Sequence, residues 1–200
     1  MMGAMVSREE SAAATRRALI DAAAELLDLG GLDAVTLREV GARAGVSRGA
    51  PYRHFPDKDS LLTAVAAEGW ERFGHQVHTL RTDPGTSAAE KLRGVLHALI
   101  DVGRGQPHLY QMMFSTPAGD TAAAVQAAGY AQDEFLAVVA ALVGEEQARH
   151  YGALLLASAH GMAGLELSRH LTADKWHTTA DELVTTLVRM VADAGVATSA

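Results

Sequence analysis

The stretch Thr36–Leu62, TLREVGARAGVSRGAPYRHFPDKDSLL, decides the fold because it places helix starts and stops at short distances. Thr36 followed by Glu39 has the pattern of a capping box, which predicts a short helix over residues 37–44. Gly45 should end that helix, because glycine adopts the left-handed conformation of helix C-termini without a steric penalty. The pattern therefore predicts one short helix followed directly by a tight turn.

A second short helix is expected after the turn. Ser47 is placed to be its N-cap and Phe55 its last residue, with Pro51 at the fourth helical position. A proline there removes only the first backbone hydrogen bond, so we expect an irregular or late-starting first turn. Two short helices joined by a glycine turn are typical of a helix-turn-helix unit.

The alternative interpretation of this segment is a solvated loop with a few charges, and the charge distribution argues against it. Residues 36–58 contain five basic and two acidic side chains, and residues 1–58 as a whole contain eight of each. Residues 59–200 therefore carry the entire net charge of −7. Because exposed charges more than about 10 Å apart are screened at ordinary salt, a polyanion would respond to the local basic patch.

The composition indicates a globular protein. With 200 residues, 48% of them hydrophobic, the chain can bury a core as one or two domains. The absence of cysteine excludes a disulfide framework and a thiolate metal site. The sequence contains no signal-peptide pattern and no apolar run of about 20 residues, so we expect a soluble cytoplasmic protein that does not enter a membrane.

Apolar residues recur at helical spacing along the chain, and no strand pattern is present. A first helix should end at Gly30-Gly31. The other predicted helices are a long one from Asp57 towards His78, one around residues 92–99, a short one from Pro107, and three over residues 125–143, 145–170 and 178–194. We predict an all-α protein with a homeodomain-like helix-turn-helix domain over residues 12–58 and a larger helical ligand-binding and dimerisation domain over residues 59–200.

Residues 15–65, above all the stretch quoted first, resemble the DNA-binding domain of the tetracycline-repressor (TetR) family of bacterial transcription regulators. The resemblance rests on the order of caps, glycines and aromatic residues. It implies a transcription regulator, most simply a repressor released by a small-molecule ligand, that binds an inverted-repeat operator in double-stranded DNA as a homodimer. We expect no enzymatic activity, no cofactor and no metal.

Arg48 is the main candidate for reading a base, because an arginine in the first turn of the second short helix can bond a guanine with two hydrogen bonds. Gly49 would let the backbone come close to the DNA, and Ala50 could contact a thymine methyl group. Arg43 is expected to be solvated or paired within the protein. The complete set of predicted DNA contacts is Thr36, Arg38, Ser47, Arg48, Gly49, Ala50, Tyr52, Arg53, His54 and Lys58.

The family resemblance assigns phosphate contacts to three of these residues. Tyr52 and His54 are similar to the family's phosphate-contacting aromatic residue and histidine, and Lys58 is similar to its phosphate-binding lysine. Thr36 and Arg38, which open the first short helix, should meet the DNA backbone or a flanking base.

The resemblance also implies a small-molecule site in the core of the second domain. The candidate residues are Trp70, Phe73, His97, Tyr110, Met113, Phe114, Phe135 and His160. Methionine and aromatic residues at helical spacing are also what an ordinary core contains, so plain packing remains the alternative. A pocket lined in this way would suit a mostly apolar ligand with a few polar anchors.

The last two predicted helices carry a possible interface. Small residues at 157, 161, 164 and 168 form one stripe, and apolar residues at 183, 184, 187, 188 and 191 form a broad face of the final helix. Ordinary packing within the chain explains such a pattern equally well. Helix-turn-helix proteins generally bind DNA as two-fold dimers, however, and in this family the last two helices form a four-helix interface.

The stretch ASAHGMAGLEL resembles the tryptophan-histidine-glycine (WHG) motif of one TetR subgroup. His160 and Gly161 match that motif, whereas Ala159 stands in place of the tryptophan. His160 could be a core histidine bonded to a backbone carbonyl or could line a cavity, and we favour the core interpretation.

The sequence leaves two alternative functional classes. An enzyme or metalloprotein would need more than His75 and His78 on one helix face, and the chain contains no HExxH motif, nucleophile elbow or phosphate loop. The second alternative is a helical small-molecule-binding protein or enzyme whose DNA-binding domain is not functional.

Overall fold

The computed structural model describes residues 8–116, 118 and 121–198, and these ranges contain ten helices and no strand. The prediction of an all-α fold is confirmed. The helices are α1 (Arg8–Ala34), α2 (Leu37–Arg43), α3 (Ala50–His54), α4 (Lys58–Thr82), α5 (Ala88–Gly105), α6 (Pro107–Met113), α7 (Ala122–Val143), α8 (Glu145–Leu167), α9 (Ala173–Trp176) and α10 (Ala180–Thr198).

Helices α1, α2 and α3 form the N-terminal three-helix unit. The predicted cap of α2 is present, because Thr36 Oγ1 accepts a hydrogen bond from the Glu39 amide at 3.1 Å. Gly45, with a φ of 67°, ends the helix in the left-handed conformation as predicted. Val40 and Phe55 are buried against α1, and their burial fixes α2 and α3 on that helix.

The third helix starts later than its proposed cap. Gly49 is the N-cap and Ala50 the first helical residue, so the assignment of Ser47 as the N-cap is wrong. Because Pro51 has no N–H for the Ser47 carbonyl, that carbonyl accepts from the Ala50 amide at 2.9 Å and forms a turn. The predicted late-starting first turn is thus confirmed. Pro51 is buried against Gly41, where a Cβ atom would lie 2.7 Å from the proline Cγ.

Helix α1 has a kink at Gly31, whose φ of 66° and ψ of −163° are accessible essentially only to glycine. The Gly30-Gly31 pair therefore interrupts the helix as predicted, although one further turn follows it. The ring of His108 in α6 packs on Gly31, at 3.2 Å from the position of a Cβ atom there. Glycine is needed at this position for both its conformation and its lack of a side chain.

The remaining helices surround one continuous apolar core. Helix α4 packs on α5, α6 and α7, and α8 and α10 close the other side of the bundle. The core runs without a break from Leu19 in α1 to Val191 in α10. Helix α8 ends at Leu167, three residues earlier than predicted, and the short helix α9 was not expected from the sequence.

Candidate DNA-binding surface and ligand cavity

The surface of α3 presents uncompensated positive charge. Arg48, Tyr52 and Arg53 are all exposed, Tyr52 by 57%. Within the described ranges, neither Arg48 nor Arg53 has a carboxylate at ion-pair distance. Arg43, by contrast, donates to Glu25 at 2.6 Å, which confirms that it is paired within the protein. Arg53 on α3 and Arg48 in the turn before it are therefore free to meet a polyanion.

Several other predicted contact residues already have partners. Thr36 caps α2, Arg38 lies 3.5 Å from Glu39, and the ammonium group of Lys58 donates to the Leu32 carbonyl at 2.5 Å. The bonds of Thr36 and Lys58 hold these two side chains at the edges of the three-helix unit, whereas the side chain of Arg38 is exposed. The bond of Lys58 also ties the start of α4 to the end of α1.

Ala50 differs from its expected role. Its side chain is only 3% exposed, so it has almost no surface for a thymine methyl group, and the structure does not support that contact. Ser47 and Gly49 are exposed beside it, and the Arg53 guanidinium lies over Gly49, 3.4 Å from the position of a Cβ atom.

A cleft joins α3 to the start of α1. Half-buried His54 lines it together with Ser47 and Arg53, and the opposite wall includes Arg8. Arg8 was missed by the sequence analysis because the first domain was expected to begin at residue 12. It adds a third basic side chain to this face of the unit, and no local motif distinguishes it.

The second domain contains an apolar cavity of about 220 Å³ between α4, α5, α7 and α8. Four of the eight candidate residues line it: Trp70, Phe73, Phe114 and Phe135. Seven lining residues were missed: Val95, Leu96, Leu99, Ala128, Ala131, Gln132 and Leu156. Six of them are aliphatic residues or alanines, which at helical spacing are indistinguishable from core in the sequence, and no local motif distinguishes Gln132.

Aromatic contacts connect the cavity to α6. Trp70 Nε1 donates to the carbonyl of Met113, the last residue of α6, at 2.9 Å. The Phe114 ring meets the Trp70 ring edge-on, with centroids 5.2 Å apart. A change in the cavity wall would therefore act directly on the C-terminal end of α6.

The other four candidates lie outside the cavity. Met113 is buried against Gly69, and His97 is half-buried with its Nε2 atom lacking a hydrogen-bond partner in the described structure. Tyr110 is buried, which raises its pKa to about 12, and its hydroxyl shares a 2.8 Å hydrogen bond with His160 Nδ1. His160 is otherwise exposed, so its interpretation as a core histidine bonded to a backbone carbonyl is wrong.

A larger cleft of about 300 Å³ lies between α1, α4 and α6. Its walls mix the polar side chains Asp59, His108 and Gln111 with apolar ones such as Leu62 and Met112, and it lies at the junction of the two domains. Ligand pockets are mostly apolar and concave, which favours the smaller cavity as the ligand site.

The two domains are joined by specific contacts at this junction. Gln106, at the start of α6, donates to Asp28 of α1 at 2.9 Å, and Arg17 of α1 pairs with Glu68 of α4 at 2.8 Å. The bond of Gln106 and the packing of His108 on Gly31 attach the N-terminal end of α6 to the three-helix unit, and the Arg17–Glu68 pair attaches α4 to it.

The small-residue stripe of α8 is exposed along its length. Gly161 and Gly164 have open space where a Cβ atom would be, and Leu154 and Leu165 beside them are 47% and 48% exposed. On α10, Met190 is 63% exposed. The broad apolar face predicted for the last helix does not point in one direction as a whole. Its three valines are buried in the chain's own core, whereas the leucines at 183 and 187 are half-buried at the edge of that core.

The described residues contain neither a metal-ligand cluster nor a membrane-spanning helix. No group of three or more histidine, aspartate or glutamate side chains is arranged to hold a metal ion there. No helix in the same ranges has both the length and the apolarity required to cross a membrane.

Comparison with known families gives two matches along the chain. Residues 19–65 match the family model described as bacterial regulatory proteins of the tetR family, and residues 92–191 match the model described as a tetracyclin repressor-like C-terminal domain. Together the two models cover most of the chain. Neither description mentions the WHG motif, so that subgroup assignment stays a prediction.

Individual relatives agree with these matches. The transcriptional repressor KstR of Rhodococcus jostii is 30% identical over 125 residues, which is 61% of this chain and 58% of the repressor. The chain thus matches little more than half the length of that relative. A Rhodococcus protein of unknown function has the same fold, with a TM-score of 0.74, 24% identity, and coverage of 90% of this chain and 94% of the other.

A further solved structure of the same fold is that of RolR with the ligand resorcinol. Its TM-score is 0.64 and its identity 22%, and the match covers 94% of each chain.

Proposed function

Because this chain belongs to the tetR family of bacterial regulatory proteins, we propose that it is a sequence-specific DNA-binding transcription regulator, most simply a repressor released by a small molecule. The observation that carries the proposal is the exposed, unpaired charge of Arg48 and Arg53 on a helix-turn-helix unit whose Arg43 is neutralised internally. In this proposal residues 12–58 bind DNA, and residues 59–200 bind the ligand and the second subunit.

The basic side chains have two different roles in this proposal, contact with bases and contact with phosphates. Arg48, with its guanidinium free in the turn before α3, reads a base in the major groove. Tyr52, Arg53 and His54 lie on α3 beside it and contact phosphates, which position the helix without reading sequence. Lys58 reaches phosphate with the ammonium hydrogens that the Leu32 carbonyl leaves free.

The DNA-bound form is a homodimer held through α8 and α10. The exposed glycines of α8 allow a second copy of that helix to approach closely, and the exposed Leu154, Leu165 and Met190 supply apolar area around them. A two-fold axis at this surface places two copies of α3 on an inverted repeat.

The ligand releases the protein from DNA through α6, which contacts both the cavity and the three-helix unit. A ligand in the cavity touches Trp70 and Phe114, which hold the C-terminal end of α6, while Gln106 and His108 at the other end hold α1. A ligand that favours a different position of α6 shifts the population of dimers away from the spacing that fits the operator. The solved complex of RolR with resorcinol supports a small-molecule ligand for a protein of this fold.

The test is a titration of the purified protein onto the intergenic DNA upstream of its own gene, at stated salt, with random duplex in parallel. Arg48→Ala should cost about 1–3 kcal/mol on the specific DNA and relax the preference at one base pair, with little effect on random DNA. Arg72→Ala, which removes an exposed arginine from α4, is the matched control and should bind like the unmodified protein.

Equal losses on specific and random DNA for Arg48→Ala would contradict its role in reading sequence. If the unmodified protein binds the specific DNA no better than random DNA, the alternative of a ligand-binding protein with a non-functional DNA-binding domain is correct instead.

A further inference from the structure

The walls of the cavity exclude a charged ligand. None of the described side chains that line it is ionisable, and the indole N–H of Trp70 is already donated to the Met113 carbonyl. A carboxylate or ammonium group buried there would lose its hydration without gaining a partner. Only an uncharged molecule can occupy the cavity without this penalty.

One polar side chain is free to bond a ligand. Gln132 lines the cavity and is exposed, so its amide lies where the cavity meets solvent. No hydrogen bond of its side chain is found within the described part of the chain. A ligand with one polar group can therefore place that group at Gln132 and its apolar body inside.

The size of the cavity and the aromatic residues in its walls restrict the apolar part of the ligand. Its volume of about 220 Å³ is larger than a cavity of about 150 Å³ that binds benzene and smaller than the pockets of about 300–1,000 Å³ that hold drug-sized ligands. Trp70, Phe73 and Phe114 are among its walls, and aromatic walls attract another ring in edge-to-face geometry.

We propose that the ligand of this cavity is a neutral aromatic molecule of one or two rings, with a single hydroxyl-type group directed at Gln132. The proposal rests on the proposed function, since it names the class of effector for the same site. It excludes long acyl chains, which exceed the volume, and it ranks anionic acids and nucleotides below neutral molecules, because no basic side chain lines the cavity to pair with their charge.

The test uses the full-length protein and two probes of nearly equal size, 2-naphthol and 2-naphthoate, in isothermal titration calorimetry at pH 7. We expect 2-naphthol to bind with one molecule per subunit, and 2-naphthoate to bind more weakly by on the order of 100-fold. Gln132→Leu should weaken 2-naphthol about fivefold, which is the typical effect of one hydrogen bond.

A matched pair of variants locates the probe. Ala128→Phe fills the cavity from α7 and should abolish binding of 2-naphthol, whereas Ala137→Phe, at an exposed position of the same helix, should leave it unchanged. Circular dichroism melting verifies that each variant is folded. The comparison of the two probes on the unmodified protein needs no variant, so a misfolded Ala128→Phe leaves the proposal testable.

Three results would overturn the proposal: no binding of 2-naphthol at millimolar concentration, equal affinity for 2-naphthoate, or equal binding by Ala128→Phe and Ala137→Phe. DNA binding by the ligand-free protein is measured separately on the upstream DNA. If that binding is intact, such a result removes the ligand class and leaves the regulator proposal standing. If 2-naphthol binds as described but the ligand-free protein does not bind the upstream DNA, the regulator proposal fails instead.

Discussion

Replacing Gly161 by leucine should have opposite effects on the subunit and on the dimer. Within one chain, no atom lies within 4 Å of the Cβ position at Gly161, so the new side chain displaces nothing. Leucine also has a higher helix propensity than glycine, by about 0.5–1 kcal/mol in a helix interior. The isolated subunit should therefore become slightly more stable.

The dimer should be weakened because the proposed interface depends on close approach at this position. Overpacking a well-packed contact costs about 1–3 kcal/mol, and a two-fold axis repeats the substitution in both subunits. The cost is then about 2–6 kcal/mol per dimer, which raises the dimer dissociation constant by about 30-fold to about 20,000-fold.

Sedimentation velocity over a range of protein concentrations measures this dissociation constant, and denaturant unfolding of the dissociated protein measures subunit stability. Gly129→Leu is the matched control, because Gly129 lies on α7 and also has no atom within 4 Å of its Cβ position. It should give the same gain in subunit stability and an unchanged dissociation constant.

Equal dissociation constants for the two leucine variants would refute the placement of the interface on α8. A monomeric mass for the unmodified protein at micromolar concentration, with DNA binding intact, would refute the dimer itself. A loss of subunit stability in Gly161→Leu would show that α8 packs differently from the structure described above.

Two further predictions concern stability. A hydrogen bond from Arg81 lowers the pKa of Glu134, so the stability from this pair is fully present at neutral pH and is lost as the carboxyl is protonated. The difference in melting temperature between the unmodified protein and Glu134→Gln should therefore narrow as the pH falls from about 6 to about 3, and a constant difference would contradict the pairing. Gly31→Ala should lower the free energy of unfolding by about 1–3 kcal/mol, as measured by denaturant unfolding. Gly105→Ala, with open space at its Cβ position, should cause no such loss. Equal effects of the two substitutions would show that the kink at Gly31 is not required.

Most of the helices and several of their ends follow from the sequence alone, because these depend on interactions between residues three or four positions apart. Thr36 as the cap of α2, Gly45 as its end and Pro107 as the first residue of α6 were all predicted from local patterns. The all-α class and the family followed from the order of these signals. The start of α3 differs from the prediction because Pro51 has no N–H for the Ser47 carbonyl, and the helix therefore begins after Gly49.

Which residues share the cavity and which face solvent depends on the tertiary packing of the helices. Trp70, Phe135 and Leu156 lie on three different helices, and no local pattern records that their side chains meet around one space. The same limit explains His160, whose partner Tyr110 is 50 residues away in the chain. Burial and cavities arise from the packing of distant helices, whereas a helix cap is complete within a single turn.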